Sequence, residues 1–290
     1  FDRALNAEEL ATLFGAAFTG GALPPTFAAH PVSRTVYAGM DIQFSASVLG
    51  SAPIQYEWRK DSAKVIDGGN ISGATTPAIR IVSATAENAG EYVLVAQNPA
   101  GTAESTPAVL NVITPVAGSY EDLLVSFRPH AYYRLNEIIG SETAFDYYGG
   151  FHGAYGSTAM YSQGAAGVAN PPFVGFESTN TAVQFFTGSS GNYVTAPFGA
   201  TATNAITFTA WVYPAGPQAD WSGILMSRTS GSGGMGYNDE QMLAYTWNAD
   251  STWSFDSGLA IPTNQWSFVA VVIQPDRGVL YLGNGGTIRS

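Results

Sequence analysis

The sequence predicts an all-β protein built from two β-sandwiches, with one short helix at its N-terminus. Composition is the first reason: 11% of the residues are charged and 13% are aromatic, whereas ordinary globular proteins carry roughly 25% charged residues. The second reason is periodicity, because short stretches of alternating apolar and polar residues are separated by turn residues, among them 33 Gly and 16 Pro. At 290 residues, the chain is long enough for about two domains.

Charge and composition argue against several classes of function. The net charge of −11 is spread along the chain, and no basic patch could neutralise a nucleic-acid backbone. No apolar run approaches the roughly 18 residues of a membrane span, so we expect no membrane insertion. The sequence contains no cysteine, which excludes disulfides, thiolate zinc sites and cysteine nucleophiles.

The first segment, FDRALNAEELATLFG, predicts one short helix. Asn6 is a good N-cap, and Glu9 three residues later completes a capping box. Gly15 predicts the end of the helix. An apolar stripe at helical spacing is formed by Leu10, Leu13 and Phe14. So short a helix is marginal alone in water, and we expect the stripe to dock on another surface.

This segment resembles the C-terminal signature of laminin-G-like, concanavalin A-like jelly rolls, Y-[DN]-R-A-L-[ST]-x-x-E-I. The resemblance implies that residues 1–15 are the strand and helix that end a jelly roll, followed by a linker over residues 16–24. The side chains expected to make assembly contacts are Leu5, Leu10, Leu13 and Phe14. The alternative is an unrelated N-terminal helix.

Residues 25–113 predict a first sandwich. Short alternating stretches are separated by turn residues, which is typical of this architecture. The predicted strands cover residues 35–38, 41–49, 54–60, 78–84, 91–98 and 105–113.

The same residues resemble an immunoglobulin-like domain of the I-set kind. The resemblance rests on Gly39, Trp58 and the stretches ENAGEY and NPAG. It implies that Ala46 and Leu94 replace the two bridge cysteines, so that plain packing around Trp58 joins the sheets. It also implies a tyrosine corner at Tyr92, whose hydroxyl should bond to nearby backbone.

Residues 120–290, after a linker over residues 114–119, predict a second and more aromatic sandwich. Two packed antiparallel sheets are expected. The predicted strands cover residues 131–137, 181–186, 193–197, 205–214, 223–228, 241–247, 252–256 and 265–275.

Four blocks of this segment again resemble the laminin-G-like, concanavalin A-like jelly roll: AYYRLNE, FDYYGGFHGAY, FTAWVYP and QWSFVAVVIQPDRGVLYLGN. The family continues with further strands and then the DRAL helix, so the resemblance implies a jelly roll that lacks its last strands. Three arrangements remain open: a window from a tandem array, a circular permutation, or a filament in which residues 1–15 dock on the next copy.

No arrangement of residues predicts catalysis. A retaining glycosidase needs two neighbouring carboxyl groups, and no E-x-D-x-E or E-x-x-x-E pattern falls on a predicted strand. The three histidines, His30, His130 and His152, lack metal-binding spacing. No G-x-S-x-G motif occurs. We therefore expect no enzyme.

Asp146 is the candidate metal ligand. It lies in a Gly-rich turn that resembles the family's D-x-x-G-x-x-H-G loop, and members of this superfamily often hold calcium. A calcium ion takes six to eight oxygen ligands, of which Asp146 can supply one or two. The alternative is that Asp146 caps its own turn.

Aromatic side chains are the candidate sugar contacts. Tyr245 and Trp247 on one predicted strand could face Trp253 and Phe255 on the next, although such pairs also stabilise sheets without a ligand. The candidate ligand-binding residues are Tyr147, Tyr148, Trp221, Trp247 and Trp253.

These observations together predict a non-enzymatic extracellular adhesion or glycan-binding module of a large repetitive bacterial surface protein. The expected partners are a polysaccharide or cell-surface glycan, and neighbouring repeats or copies of the chain. One alternative is a structural subunit of an extracellular filament. Another is an accessory domain associated with a glycoside hydrolase.

Overall fold

A computed structural model describes residues 3–19, 22–156, 161–186, 192–197, 205–227, 233–247 and 256–290. These residues form mostly β-strands, so the predicted all-β class is confirmed. Two short helices are present where the sequence predicted one, because α2 (Tyr120–Ser126) was missed. Neither helix has the length and apolar character that a membrane crossing requires.

Helix α1 (Ala7–Thr19) begins as predicted and ends later than predicted. The Asn6 side chain accepts from the backbone N–H of Glu9 at 2.8 Å, and the Glu9 carboxylate accepts from the N–H of Asn6 at 2.9 Å. The Arg3 guanidinium also binds Glu9, and these bonds lower the pKa of Glu9 to about 2. The predicted stop at Gly15 is wrong, since the helix continues through Gly15 to Thr19.

The first sandwich contains eleven strands. They are β1 (Thr26–Ala29), β2 (Arg34–Tyr37), β3 (Ile42–Ser45), β4 (Ser47–Leu49), β5 (Gln55–Lys60), β6 (Ala63–Lys64), β7 (Ile71–Ser72), β8 (Ala78–Ile81), β9 (Gly90–Asn98), β10 (Gly101–Glu104) and β11 (Ala108–Ile113). One sheet has the order β2-β11-β9-β5-β6, with β10 also on β9; β3-β8-β7 and β1-β4 form two others. Strand β2 runs parallel to β11. The single strand predicted over 41–49 is divided at Ala46 between two sheets.

Packing replaces the disulfide in this sandwich. Trp58 and Leu94 are fully buried, and Ala46 packs against the same cluster. The Trp58 ring lies 6.4 Å from Phe44, and its Nε1 donates to the Thr76 carbonyl at 2.9 Å. The Tyr92 hydroxyl donates to the Asn88 carbonyl at 2.8 Å, which confirms the backbone bond expected of a tyrosine corner.

The middle segment, residues 120–186, begins with α2 and contains four short strands: β12 (Thr143–Ala144), β13 (Gly153–Tyr155), β14 (Tyr161–Ala166) and β15 (Thr181–Phe185). Strands β12 and β13 form a sheet with β16 (Val194–Thr195), and β14 pairs with β15. The strand predicted over 131–137 is wrong, since only an isolated bridge between Tyr133 and Asp146 is present there.

The described residues of the C-terminal sandwich form two facing sheets over residues 206–289, which is part of the 120–290 range in which two packed sheets were predicted. One contains β17 (Ile206–Val212), β21 (Ser267–Gln274), β22 (Arg277–Asn284) and β23 (Thr287–Arg289) in that order; the other contains β18 (Gly223–Ser227), β19 (Gly233–Tyr237) and β20 (Leu243–Thr246). Met235 and Leu243 from the second sheet share a core with Val269, Val271 and Leu282 from the first. The strand predicted over 252–256 lies almost wholly outside the described residues.

Candidate functional site

Asp146 organises the loop that follows β12. It is fully buried, and its Oδ1 accepts from the backbone N–H groups of Tyr132 at 2.8 Å and Tyr148 at 2.9 Å. Its Oδ2 accepts from the N–H of Phe151 at 2.9 Å. Three backbone N–H groups therefore converge on one carboxylate, two of them from its own loop, as the capping alternative requires, and one from Tyr132.

The donor set at this loop does not fit calcium. The Asp146 oxygens are already engaged by N–H donors, whereas calcium needs six to eight oxygen ligands. Within the described ranges, no group of three or more His, Asp or Glu side chains could hold a metal ion. Calcium stays a prediction from family resemblance.

His152 closes the same loop. Its Nδ1 accepts from the backbone N–H of Asp146 at 3.1 Å, which makes Nε2 the protonated nitrogen of the neutral ring. Burial lowers the pKa of His152, and the charge of Arg34 lowers it further against the effect of Asp146. The sequence offered no signal for this role beyond an isolated histidine.

The loop formed by residues 146–152 contacts the first sandwich through β2. The N–H of Tyr37 donates to the Tyr147 carbonyl at 3.3 Å, and Arg34 Nη1 donates to the Gly150 carbonyl at 3.4 Å. The fully buried Tyr37 ring lies 6.2 Å from the Tyr147 ring. Tyr147, a candidate ligand-binding residue, is therefore a domain contact in this structure.

Arg134 supports this contact from within the middle segment. Its Nε lies 3.0 Å from Glu121 Oε1 on α2, and its Nη2 pairs with Glu177. The guanidinium lies 6.0 Å from the centre of the Tyr147 ring. Burial raises the pKa of Glu121, against the lowering effect of Arg134. Burial and the Glu121 charge together raise the pKa of Tyr37. The result is a part-buried polar cluster at the domain contact.

Glu137 is a second carboxylate with a structural role. It is buried, its Oε1 accepts from the N–H of Phe145 at 2.8 Å, and its Oε2 accepts from the Tyr155 hydroxyl at 2.6 Å. Glu137 therefore holds both Phe145, which follows β12, and Tyr155 of β13.

Three of the remaining candidate ligand-binding residues lie among the described residues, each in a different setting. Tyr148 is half-buried, and burial raises its pKa. Trp247 packs on the C-terminal core, where Gly233 leaves room for its indole, because a Cβ there would lie 2.7 Å from the ring. Trp221 is 43% exposed in the connection between β17 and β18. Trp253 lies outside the described residues.

An exposed aromatic pair was missed in the sequence. Tyr213 follows β17 and Trp266 precedes β21, and their rings meet edge to face at 5.6 Å. Tyr213 is 46% exposed. Because Val212 pairs with Ser267 in the antiparallel register of β17 and β21, the neighbouring residues Tyr213 and Trp266 lie side by side. The signal was available, because each lies at a predicted strand end.

Helix α1 presents its apolar stripe to solvent. Leu10, Leu13 and Phe14 are 53%, 50% and 67% exposed, and Leu5 is half-buried. Their assembly role stays a prediction.

Two family models match separate parts of the chain. Residues 25–112 match the immunoglobulin I-set domain, and residues 187–286 match the concanavalin A-like lectin/glucanases superfamily. The whole middle segment, residues 120–186, lies between these two matches.

Curated relatives match about a third of the chain. The muscle M-line assembly protein unc-89 of Caenorhabditis elegans is 35% identical over 104 residues, and the netrin receptor DCC of Rattus norvegicus is 28% identical over 125 residues. These matches cover 34% and 38% of this chain but only 1% and 9% of the relatives.

Solved structures match a similar share. A titin M10–obscurin-like 1 Ig complex is 28% identical, with a TM-score of 0.31, over 33% of this chain and all of that chain. The titin M3 domain is 29% identical, with a TM-score of 0.28, over 31% of this chain and 97% of that one. From the family matches and the strands described above, the chain contains an immunoglobulin I-set domain followed by a domain of the concanavalin A-like lectin/glucanases superfamily.

Proposed function

We propose that this chain is a non-enzymatic adhesion-type module of an extracellular or cell-surface protein, and that its C-terminal sandwich contacts carbohydrate. The observation that carries the proposal is the edge-to-face pair of Tyr213 and Trp266 at the ends of β17 and β21, in which Tyr213 is exposed, together with the separately exposed Trp221. Exposed rings offer apolar faces on which the C–H face of a pyranose can stack, while the tyrosine hydroxyl stays in water.

The electrostatics of the molecule support a binding role over a catalytic one. The two carboxylates buried in the middle segment, Asp146 and Glu137, are saturated by hydrogen bonds that hold backbone and a tyrosine in place. A general acid or base needs a proton-transfer position that faces a substrate.

Bacterial origin, expected from composition, is part of the proposal, whereas the relatives described above come from animals.

Binding of the purified chain to a panel of immobilised polysaccharides tests the proposal. We expect Tyr213→Ala and Trp221→Ala each to weaken binding about three- to tenfold, because an aromatic contact contributes roughly 0.5–1.5 kcal/mol. Tyr193→Ala is the matched control, since Tyr193 is 54% exposed and lies elsewhere in sequence. The proposal fails if the wild-type chain binds no polysaccharide, or if all three variants bind like the wild type.

A second candidate function is a filament subunit in which α1 docks on another copy. The exposed Leu10 and Leu13 favour it, because an exposed apolar stripe on a helix is the pattern used in helix-in-groove recognition. Analytical ultracentrifugation over a range of concentrations tests this function. We expect wild-type oligomers that are lost in Leu10→Asp and Leu13→Asp but persist in Leu123→Asp, an equally exposed leucine of α2. A wild-type chain that stays monomeric throughout would rule out this candidate.

A further inference from the structure

The middle segment contacts the domain on each side of it. Towards the I-set domain, the 146–152 loop accepts hydrogen bonds from Tyr37 and Arg34 of β2. The Tyr37 ring also lies 6.0 Å from Tyr132 and 6.2 Å from Tyr147. Since Tyr37 is fully buried, this end of the I-set domain is covered by the middle segment.

On its opposite side, the middle segment packs on the outer face of the C-terminal sheet. Trp211 of β17 points away from the core occupied by Ala210 and Val212, because neighbouring strand residues face opposite sides. Its ring lies 5.2 Å from Phe173, 5.6 Å from Phe176 and 6.2 Å from Tyr120. The middle segment therefore supplies the aromatic cover of this face.

Helix α2 joins the two contacts. Tyr120 stacks on Phe176 at 4.5 Å, on the side of the middle segment that faces the C-terminal sandwich. The adjacent Glu121 pairs with Arg134 on the side that faces the I-set domain. Consecutive residues of a helix point in directions about 100° apart, so one short helix can serve both sides. Ser119 fixes the start of the helix by accepting from the N–H of Asp122 at 3.1 Å.

Hydrogen bonds also hold both ends of the connection between the two domains. Strand β11 ends at Ile113, whose carbonyl accepts from the N–H of Ala38 at 2.8 Å beside Tyr37. The N–H of Ser119 then closes a turn onto the Val116 carbonyl at 2.9 Å. Residues 114–119, predicted as a linker, therefore run between two fixed points, which limits their conformational freedom.

We infer that the middle segment is a two-sided wedge that locks the I-set domain and the C-terminal sandwich into one rigid body, with Arg134 as the positioning residue of the I-set contact. Arg134 holds Glu121 and Glu177 together behind Tyr147, and so shapes the surface on which Tyr37 packs. Domains joined by a small polar interface ordinarily move relative to one another. Here, a part-buried ion pair between Arg134 and Glu121 on the I-set side and aromatic contacts on both sides oppose that motion.

The wedge has a consequence for partners. It covers the β2 end of the I-set domain, so a partner must approach through another face, such as the exposed charged surface that includes Arg59, Lys64 and Glu104. It also fixes the distance between that surface and the aromatic pair Tyr213–Trp266. This inference does not depend on carbohydrate binding.

Spin-label distances test the wedge in the full chain. Because the sequence has no cysteine, Gln43→Cys and Gln274→Cys place one label on an exposed position in each domain. We expect one narrow distance distribution in the otherwise wild-type chain. Arg134→Met should broaden it, and Arg59→Met should not, since Arg59 pairs with Glu57 and Glu104 on the surface of a different sheet from the labelled Gln43.

Two further variants keep the test decisive. If Arg134→Met unfolds the middle segment, as near-ultraviolet circular dichroism would show, then Arg34→Ala and Tyr37→Ala replace it, because both remove contacts from the I-set side. A broad distribution in the wild-type background would overturn the inference. So would a narrow, unchanged distribution in Arg34→Ala and Tyr37→Ala together.

Discussion

Trp58 in the I-set domain and Asp146 in the middle segment are both fully buried, but their surroundings differ. Trp58 lies among apolar side chains such as Phe44 and Leu94, with one hydrogen bond from its indole. Asp146 is held by three backbone N–H groups and has His152 beside it. A core of the first kind depends on volume, whereas a core of the second kind depends on every polar partner being present.

The largest expected effect is the loss of the Trp58 ring. Trp58→Ala should lower the free energy of unfolding of the I-set domain by about 3–5 kcal/mol, because it leaves a cavity in a packed core. Amide hydrogen exchange in β3, β5 and β9 measures this change. Trp58→Phe, which keeps most of the volume, should cost less, and equal losses in both variants would mean that volume is not what Trp58 contributes.

Removal of the Asp146 carboxylate should have the next largest effect. Asp146→Ala leaves three backbone N–H groups without an acceptor, and each unsatisfied buried group costs about 1–3 kcal/mol. We expect a loss of about 3 kcal/mol in the free energy of unfolding, since such costs are not additive. Faster amide exchange at Tyr132, Tyr148 and Phe151 should report it.

Two controls separate this role from metal binding. Asp146→Asn keeps one acceptor oxygen and should give an intermediate loss. A chelator such as EDTA should leave the unfolding of the wild-type chain unchanged. If EDTA instead reproduced the loss seen in Asp146→Ala, Asp146 would be a calcium ligand and the comparison with Trp58 would change.

The smallest expected effect is a pH dependence from His152. Its pKa in the folded chain is below the ordinary value of about 6.5, because of burial and then the charge of Arg34, with Asp146 opposing. The unfolded chain therefore binds a proton at His152 more readily than the folded chain does. The contribution of neutral His152 to the free energy of unfolding is present above about pH 6.5 and is lost as the pH falls through the folded pKa.

Urea unfolding at several pH values measures that dependence. His152→Gln should reduce the loss of stability on acidification. The expectation is wrong if this variant follows the wild-type curve.

Local patterns made part of the structure predictable. The capping box of Asn6 and Glu9, the strand over residues 205–214 and the Tyr92 bond all follow from residues close together in sequence. The end of α1 was misjudged because glycine does not by itself end a helix, and the Ala-Ala pair after Gly15 favours continuation.

The candidate site was less predictable. Alternation in AYYRLNE predicted a strand, but Arg134 meets its partners on α2 and at Glu177 instead of pairing in a ladder. Tyr147 was predicted to contact sugar because it lies in a predicted loop, whereas the structure places its ring against Tyr37. The aromatic pair Tyr213–Trp266 required the register of β17 with β21, which a strand pattern alone does not give.

The amino-acid order by itself determined the all-β class and the start of α1, because hydrophobic periodicity and capping act between near neighbours. Its resemblance to I-set domains implied the cysteine-free core around Trp58. Only the tertiary structure decided the contact between the domains. Arg34 and Gly150 are 116 residues apart, and Arg134 and Glu177 are 43 apart. A buried charge or a buried N–H must find its partner wherever the fold brings one, and no local pattern records which residue that is.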